Sequence, residues 1–227
     1  MIKHVVITGT SRGIGFELAQ LFAASGHQVL ALSRQTESIN KLQLQNCHAL
    51  DCDITQSSDL ERAVTYIGAH WPQVDILINN AGHLINKPFA ELTMEDMQRM
   101  YAVNTFAPMA LIKALIPMMS SDAHVVSLSS MGGVQGSAKF AGLTGYSSSK
   151  GALNILNEVL AEEYKEHGPR FNVLALGAVQ TEMLEAAFPG YKAPHSARQM
   201  AQYILKFALE DGRFYNGKVL PISQSTP

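Results

Sequence analysis

The residues with the clearest potential for chemistry are Tyr146 and Lys150, four positions apart in the run Tyr146-Ser147-Ser148-Ser149-Lys150. Residues four apart share one face of a helix. A phenol with a pKa of about 10 is a poor proton donor at neutral pH, but an ammonium within roughly 4–6 Å lowers that pKa by about 1–3 units. We expect Tyr146 to exchange a proton with a substrate oxygen. The alternative is a partly exposed surface pair.

A second constellation is the glycine-rich run from Thr8 to Gly15, with the spacing G-x-x-x-G-x-G. Glycines at a junction between a strand and a helix let the backbone approach a pyrophosphate, which the helix amides then face. The alternative is an ordinary strand-to-helix turn, but the place at the first such junction favours a nucleotide site. The residues of this run that we expect to contact a cofactor are Gly9, Ser11, Arg12, Gly13, Ile14 and Gly15.

Nucleotide preference is indicated by the end of the second predicted strand, Ser33-Arg34. Sites that prefer NAD place an acid there, on the ribose hydroxyls. The nearest acid here is Glu37, farther along the chain. Arg34 and Arg12 carry the planar donor fork that suits a 2′-phosphate, so we expect NADP(H) to be preferred over NAD(H). The alternative is two solvated surface arginines.

The elements that must position these residues alternate between short β-rich runs and longer amphipathic stretches. The predicted strands are Val5–Ile7, Gln28–Ser33, Cys47–Leu50, Val74–Ile78, His124–Leu128, Phe171–Leu176 and Lys218–Ile222. The predicted helices are Gly13–Ser25, Glu37–Leu44, Ser57–Ala69, Thr93–Met119, Tyr146–His167 and Ser196–Leu209, with a capping box at Thr93 and Asp96. This order predicts an α/β fold with a parallel sheet of about seven strands and helices on both faces. We expect a single domain over 1–227 with a loose polar tail at 223–227.

Composition narrows the possible partners and locations. The 227 residues are 47% hydrophobic and 16% charged, with a net charge of -2, which argues against a disordered chain and against nucleic acid as the main partner. No apolar run looks long enough to span a membrane: the longest, Phe106 to Met119, is interrupted by Lys113. A strand-like run starts at His4, so we expect no signal peptide. Cys47 and Cys52 predict two reduced thiols in a cytoplasmic protein, without a metal site.

Further segments lie in order along the predicted elements: Cys52-Asp53-Ile54-Thr55, Asn79-Asn80-Ala81-Gly82, Val103-Asn104, Ser129-Ser130 and Leu176-Gly177-Ala178-Val179-Gln180-Thr181. With the glycine run and the tyrosine–lysine pair, this ordered set resembles the short-chain dehydrogenase/reductase family over nearly the whole chain. The resemblance implies a Rossmann-type, doubly wound fold. It also implies an oxidoreductase that interconverts a carbonyl and an alcohol, assembled as a homodimer or homotetramer.

The resemblance also implies roles for individual residues. In that interpretation Ser130 donates to the substrate carbonyl and Tyr146 supplies the proton. Lys150 lowers the pKa of Tyr146 and holds the nicotinamide ribose, while Asn104 holds a water against Lys150. The remaining cofactor contacts implied are Ser33, Arg34, Asp53, Ile54, Asn80, Ala81, Gly82, Gly177, Val179 and Thr181, together with Tyr146 and Lys150.

Each residue also has a simpler interpretation. Asn80 could be a turn residue, and Asn104 a buried polar residue satisfied by backbone groups. The Ser129-Ser130 pair could cap a strand end, and Thr181 could cap a helix. The pair also leaves open which serine faces the substrate; Ser130 is favoured and Ser129 is the alternative.

Three segments depart from the family pattern. Ser130 precedes Tyr146 by more residues than is usual, which indicates an insertion within Gly133 to Gly145. Leu176 stands where the family has proline. The stretch from about 182 to 196 is short for a substrate lid.

A catalytically silent nucleotide sensor or scaffold on the same fold is the alternative function. The substrate, a small molecule, is not identified by the sequence.

Overall fold

The computed structural model describes residues 1–224, and its backbone is built around one parallel sheet. The strands are β1 His4–Thr8, β2 Gln28–Ser33, β3 Cys47–Asp51, β4 Val74–Asn79, β5 Met119–Ser130, β6 Arg170–Leu176, β7 Val179–Gln180, β8 His195–Ser196 and β9 Lys218–Ile222. The helices are α1 Gly13–Ala24, α2 Glu37–Asn40, α3 Ser57–His70, α4 Met94–Tyr101, α5 Ala107–Leu115, α6 Thr144–Glu163, α7 Glu182–Ala187 and α8 Ala197–Leu209.

Seven strands pair in the order β3-β2-β1-β4-β5-β6-β9, and every pairing is parallel. This is the doubly wound Rossmann order that the sequence predicted, so that prediction is confirmed. The chain runs outward from β1 to β3 and then returns to β4 on the other side of β1. Open α/β sheets bind ligands outside the carboxyl ends of the strands at such a reversal.

The core lies on both faces of the sheet because successive strand residues point to opposite sides. On β1, Val5 and Ile7 pack with α1 and α8, whereas Val6 packs with α3 and α5. The largest buried side chains of the first face include Phe22 and Phe207, and Phe171 lies on the second. Helices on both faces leave the strand ends as the place where loops can form a cleft.

The predicted helix Thr93–Met119 is interrupted. The capping box is confirmed, since Thr93 accepts from the Asp96 amide and Asp96 accepts from the Thr93 amide. Residues Ala102–Phe106 form a π-helical turn, closed by the amide of Ala107 on the carbonyl of Ala102. Pro108 has no N–H to donate to the carbonyl four residues earlier, that of Asn104. The wider turn accommodates that missing donor, and it separates α4 from α5.

Other boundaries differ from the predicted ones. Helix α2 ends at Asn40 rather than Leu44, where the chain turns through Gln43 with a positive φ of 50°. Helix α6 begins at Thr144 rather than Tyr146 and ends at Glu163 rather than His167. Strand β5 extends back to Met119. The small β7–β8 pair was not predicted, because two-residue strands carry no periodicity.

The helical stretch Met94–Met118 is long and apolar enough, by length and composition alone, to cross a membrane. This corrects the expectation that no such segment exists. In the fold, the stretch packs on the sheet, with Met100, Leu111 and Leu115 buried.

His124 is a buried titratable group near the middle of β5, away from the cleft lining. It is 2% exposed, its Nδ1 lies 3.4 Å from the carbonyl of Ala208, and its Nε2 lies 3.0 Å from Asn172 Nδ2. Since the amide of Asn172 donates, Nε2 accepts and Nδ1 carries the proton. Burial lowers the pKa of His124 to about 4.

We predict that this histidine makes the protein less stable as the pH falls from about 6.5 to about 4. The unfolded chain binds the proton first in that range, so stability that is complete above pH 6.5 is lost as the pH approaches the folded-state pKa. The loss amounts to at most about 3 kcal/mol. Urea unfolding of the wild type and His124→Gln at pH 7 and pH 4.5 measures it. Equal pH dependence in both proteins would contradict the assignment.

Candidate active site

A cleft of about 1670 Å³ runs across the carboxyl ends of the strands. This volume exceeds the roughly 300–1,000 Å³ of a pocket for one drug-sized ligand. The glycine run and Arg34 line one end, and Ser130, Tyr146 and Lys150 line the other. Of the predicted site residues, all line this cleft except Gly15 and Asn104. Those two lie directly behind its wall, as the contacts below show.

The glycine run is held open by two residues with positive φ, Gly9 at 72° and Gly13 at 60°. Gly15 packs against the carbonyl of Gly9 so closely that an added Cβ would lie 2.2 Å from that oxygen. Asn80 fixes the run from the next strand, since its Nδ2 donates to the carbonyls of Thr8 at 2.8 Å and Gly9 at 3.0 Å. The amide of Ala81 in turn donates to Thr8 Oγ1. The site therefore needs small residues here for close packing as well as for the turn.

At the end of β2, Arg34 is exposed and lines the cleft, as does Arg12. Ser33 Oγ donates to the carbonyl of Gln35 at 2.7 Å and so shapes the turn that carries Arg34. Burial would raise the pKa of Asp53, but hydrogen bonds from Thr55 and the charge of Arg34 outweigh it, and the pKa is lowered. An anionic Asp53 beside two arginines gives this end of the cleft both acceptors and donors.

At the opposite end, Ser130, Tyr146 and Lys150 converge. The Ser130 side chain is hydrogen-bonded to the Tyr146 phenol, and Lys150 Nζ lies 6.0 Å from the centre of the tyrosine ring. Ser129 points the other way, with Oγ donating to the Lys150 carbonyl at 3.3 Å. Because neighbouring strand residues face opposite sides, only Ser130 reaches the tyrosine.

The pKa of Tyr146 differs from the expectation. Burial of the phenol raises the pKa of Tyr146 to about 12, with the Ser130 hydrogen bond acting in the opposite direction. The prediction that Lys150 lowers it is therefore wrong for the protein alone, because desolvation outweighs an ammonium 6.0 Å from the ring. Burial also lowers the pKa of Lys150, to about 8, so it is mostly cationic at neutral pH.

Lys150 is fixed by its surroundings. Its side chain is 4% exposed, and Nζ donates to the carbonyl of Leu128 at 2.8 Å. An added Cβ on Gly82 would lie 3.8 Å from Nζ and 3.6 Å from Asn104 Oδ1. Gly82 therefore leaves space in front of the ammonium, and that space continues toward the glycine run. The cleft, the open glycines and the two arginines fit a dinucleotide laid along the strand ends.

The Asn104 side chain is hydrogen-bonded to His83 and Ser149 and not to Lys150. Its Oδ1 accepts from the His83 amide at 2.8 Å, and its Nδ2 donates to the His83 carbonyl at 2.8 Å and to Ser149 Oγ at 2.9 Å. This is the simpler interpretation considered above. Ser149 Oγ donates to the Tyr146 carbonyl, and Thr105 Oγ1 donates to the Ser149 carbonyl. Sequence reasoning missed Ser149 and Thr105, whose roles appear only when the π-helical turn meets α6.

The remaining predicted residues lie at the base of the lid. Thr181 caps α7 by accepting from the Leu184 amide at 3.3 Å, again the simpler interpretation. The Gly177 amide donates to the Ile222 carbonyl at 2.9 Å, and this bond places Ser223 against Gly177. Residues 225–227 of the predicted tail lie outside the described part of the chain. Val179 pairs with His195, so the β7–β8 pair closes the base of the lid.

Two loops meet at Asn86, which the sequence did not single out. Its Nδ2 donates to the carbonyl of Ala187, the last residue of α7, at 2.9 Å. The next amide, that of Lys87, donates to the carbonyl of Gly142 in the insertion at 2.9 Å. The lid and the insertion are thereby tied to the same short segment.

Comparison with known proteins gives a consistent result. The family model described as short chain dehydrogenase matches residues 3–192. The 7alpha-hydroxysteroid dehydrogenase of Escherichia coli (strain K12) is 30% identical over 209 residues, which are 88% of this chain and 79% of that protein. Carbonyl reductase family member 4 of Danio rerio is 31% identical over 188 residues, 81% of this chain and 78% of that protein.

Solved structures show the same architecture. A structure described as ElxO with NADP bound superposes with a TM-score of 0.86 at 27% identity, covering 98% of this chain and 97% of the other.

We predict that Gly15→Ala weakens nucleotide binding at least tenfold. Its Cβ would meet the Gly9 carbonyl, a backbone atom that cannot give way without moving the run. Gly68→Ala in α3 is the matched control, since its Cβ would contact only the end of Met118, and alanine favours a helix by up to about 1 kcal/mol. Fluorescence titration with NADPH measures both. Unchanged binding by Gly15→Ala would contradict the packing argument.

Proposed function

The chain belongs to the short-chain dehydrogenase family, and from this premise we propose that it is an NADP(H)-dependent oxidoreductase that interconverts a carbonyl and an alcohol. Tyr146 is the proposed general acid and base. The observation that carries the proposal is the convergence of the Ser130 hydroxyl, the Tyr146 phenol and the Lys150 ammonium in the cleft that the glycine run also lines. A catalytically silent sensor would not require that convergence.

In the proposed reaction, the substrate carbonyl oxygen lies between Ser130 and Tyr146. Ser130 Oγ donates a hydrogen bond to that oxygen, which polarises the carbonyl. A nicotinamide cofactor held by the glycine run, Tyr146 and Lys150 would supply the hydride that the carbonyl carbon receives. Tyr146 supplies one proton to the oxygen, so hydride and proton together complete the alcohol. Solvent returns the proton to Tyr146, and the oxidation of an alcohol reverses each transfer.

Lys150 has an electrostatic task in this scheme. Its ammonium donates to the Leu128 carbonyl and keeps its charge near a phenol whose pKa burial has raised. A second positive charge in the cleft, that of an oxidised nicotinamide, would act with Lys150 to favour the phenolate. Delivery of the proton through Asn104 and a water stays a proposal, because the Asn104 side chain bonds His83 and Ser149.

The preference for NADP(H) is supported by charge at the end of β2. Arg34 and Arg12 line this end of the cleft, and no acid follows Ser33 directly. A guanidinium fork binds a phosphate in a bidentate way. The similar ElxO structure has NADP bound. Glu37 and Lys41 also line the cleft here, so the arginines are not the only charged groups.

We also propose assembly into a homodimer or homotetramer. Ile155 and Val159 on α6 are more than half exposed, and Phe106 and Met109 on the preceding helix are 54% and 46% exposed. Apolar side chains on adjacent helices favour burial against a second copy. Cytoplasmic location is proposed as well, because Cys47 and Cys52 are both free of disulfides, as is usual in a reducing compartment.

We predict that Tyr146→Phe abolishes carbonyl reduction, with a loss of at least a thousandfold in kcat, while NADPH affinity changes less than threefold. Phenylalanine keeps the ring but removes the only proton donor proposed for the substrate oxygen. NADPH oxidation against aldehydes, ketones, diketones and quinones measures this. Tyr164→Phe, at the far end of α6, is the matched control. Undiminished turnover in Tyr146→Phe would overturn the assignment, and tight NADPH binding without turnover of any carbonyl would favour the sensor.

We predict that Arg34→Leu weakens NADPH binding by about tenfold or more and leaves NADH binding within threefold. The substitution removes the fork proposed for the 2′-phosphate, which NADH lacks. Arg62→Leu is the control, since Arg62 is also exposed but bonds Asp59 on α3. Equal losses for both nucleotides would show that Arg34 has no selective role.

A further inference from the structure

The side chains at the substrate end of the cleft indicate which class of carbonyl compound binds there. Two segments form this end: the insertion, residues 134–143, and the lid, residues 182–194. From their contacts we infer that the substrate is an uncharged carbonyl compound with an apolar body, such as an aryl or alicyclic aldehyde or ketone. This inference rests on the proposed function.

Both segments present apolar side chains to the cleft. From the insertion these are Ala138, Phe140 and Leu143, and from the lid they include Met183, Leu184 and Phe188. Met183 reaches deepest, since an added Cβ on Gly82 would lie 3.6 Å from Met183 Cε and 3.8 Å from Lys150 Nζ. The apolar lining therefore extends to the catalytic lysine.

Of the charged residues in the same two segments, Glu182 alone lines the cleft, whereas Lys139, Glu185 and Lys192 do not. Lys139 Nζ bonds its own loop, at 2.6 Å from the Val134 carbonyl and 3.1 Å from the Ser137 carbonyl. Glu185 accepts from the Gly190 amide at 3.0 Å inside the lid. Glu182 lines the cleft, but its Oε2 would lie 3.5 Å from a Cβ on Gly13, at the glycine run.

Two further polar groups, His83 and Arg99, line the cleft wall. Arg99 is paired with Glu95 at 2.7 Å, and 64% of the Arg99 side chain is exposed to solvent, so its charge is already hydrated. Burial lowers the pKa of His83, with the positive charges of Arg34 and Arg99 acting in the same direction, so its ring is neutral. Lys150 is a second cation at this end, and its buried ammonium donates to the Leu128 carbonyl.

An anionic or heavily hydroxylated substrate would lose hydration against the apolar side chains of the insertion and the lid. An apolar body would instead cover side chains that now face solvent at the mouth. Phe140 is 62% exposed and Tyr191, which also lines the cleft, is 51% exposed. Covering such aromatic rings is favourable, and their flat faces suit a ring-shaped substrate.

The test is a matched pair that differs only in charge: methyl 3-(4-formylphenyl)propanoate and its free carboxylate. Two methylenes insulate the aldehyde, so its intrinsic reactivity is the same in both. In each case the aldehyde gains a hydride from NADPH and a proton from Tyr146, giving the benzyl alcohol and NADP⁺. We expect kcat/KM to be at least tenfold higher for the ester. Equal or higher values for the carboxylate, or for glyceraldehyde, would overturn the inference.

Substitutions in the insertion and the lid test which side chains bind the apolar body of the ester. Phe140→Ala and Phe188→Ala should each raise KM for the ester about tenfold, with NADPH affinity unchanged. Phe89→Ala, also exposed but outside the cleft lining, is the control and should change neither. Unchanged KM in both cleft variants would overturn the assignment of these side chains.

Failure of the inference is distinguishable from failure of the proposed function. Turnover that depends on Tyr146 but favours the carboxylate leaves the function intact and overturns the substrate class. If neither aldehyde is turned over, quenching of NADPH fluorescence reports their binding to the protein–NADPH complex. Tighter binding of the ester supports the inference, and equal or tighter binding of the carboxylate overturns it.

Discussion

The constraint on which the active site depends is the burial of the Lys150 ammonium at the carboxyl end of the sheet. A charge that is 4% exposed must be hydrogen-bonded, and the Leu128 carbonyl is its partner. That bond joins α6 to β5 at the level of Ser130. The Ser129 hydroxyl reinforces it by donating to the Lys150 carbonyl. The lysine therefore fixes the serine and the tyrosine relative to each other, in addition to its electrostatic effect on the phenol.

Hydrogen bonds from asparagine side chains connect the other elements of the site across the sheet. Asn80 joins β4 to the glycine run on β1, while Asn79 donates to Ser127 on β5, which in turn donates to Asn157 on α6. Asn104 joins the π-helical turn to α6 through Ser149. The nucleotide half and the catalytic half of the cleft are thus connected through amides, which bond in two directions without adding charge.

Much of this arrangement could be predicted from the sequence, because the strong signals are local. The Tyr146 and Lys150 spacing, the glycine run and the alternation of strands and helices gave the sheet and the two ends of the cleft. The pKa of Tyr146 was predicted in the wrong direction, since burial is set by segments distant in sequence. The choice between Ser129 and Ser130 needed the strand register, and the contacts of Asn86 and Ser149 needed loops that meet only in the folded chain.

The most direct test of this account is an ultraviolet titration of the Tyr146 phenol, taken as the difference between the wild type and Tyr146→Phe. We predict that no Tyr146 phenolate forms below pH 10 in the protein alone, where burial raises the pKa of Tyr146 to about 12. With NADP⁺ bound, one phenolate should form below pH 10, and Lys150→Met should lose it. A complex in which Tyr146 stays protonated up to pH 10 would contradict the claim that positive charge in the cleft prepares this tyrosine for proton transfer.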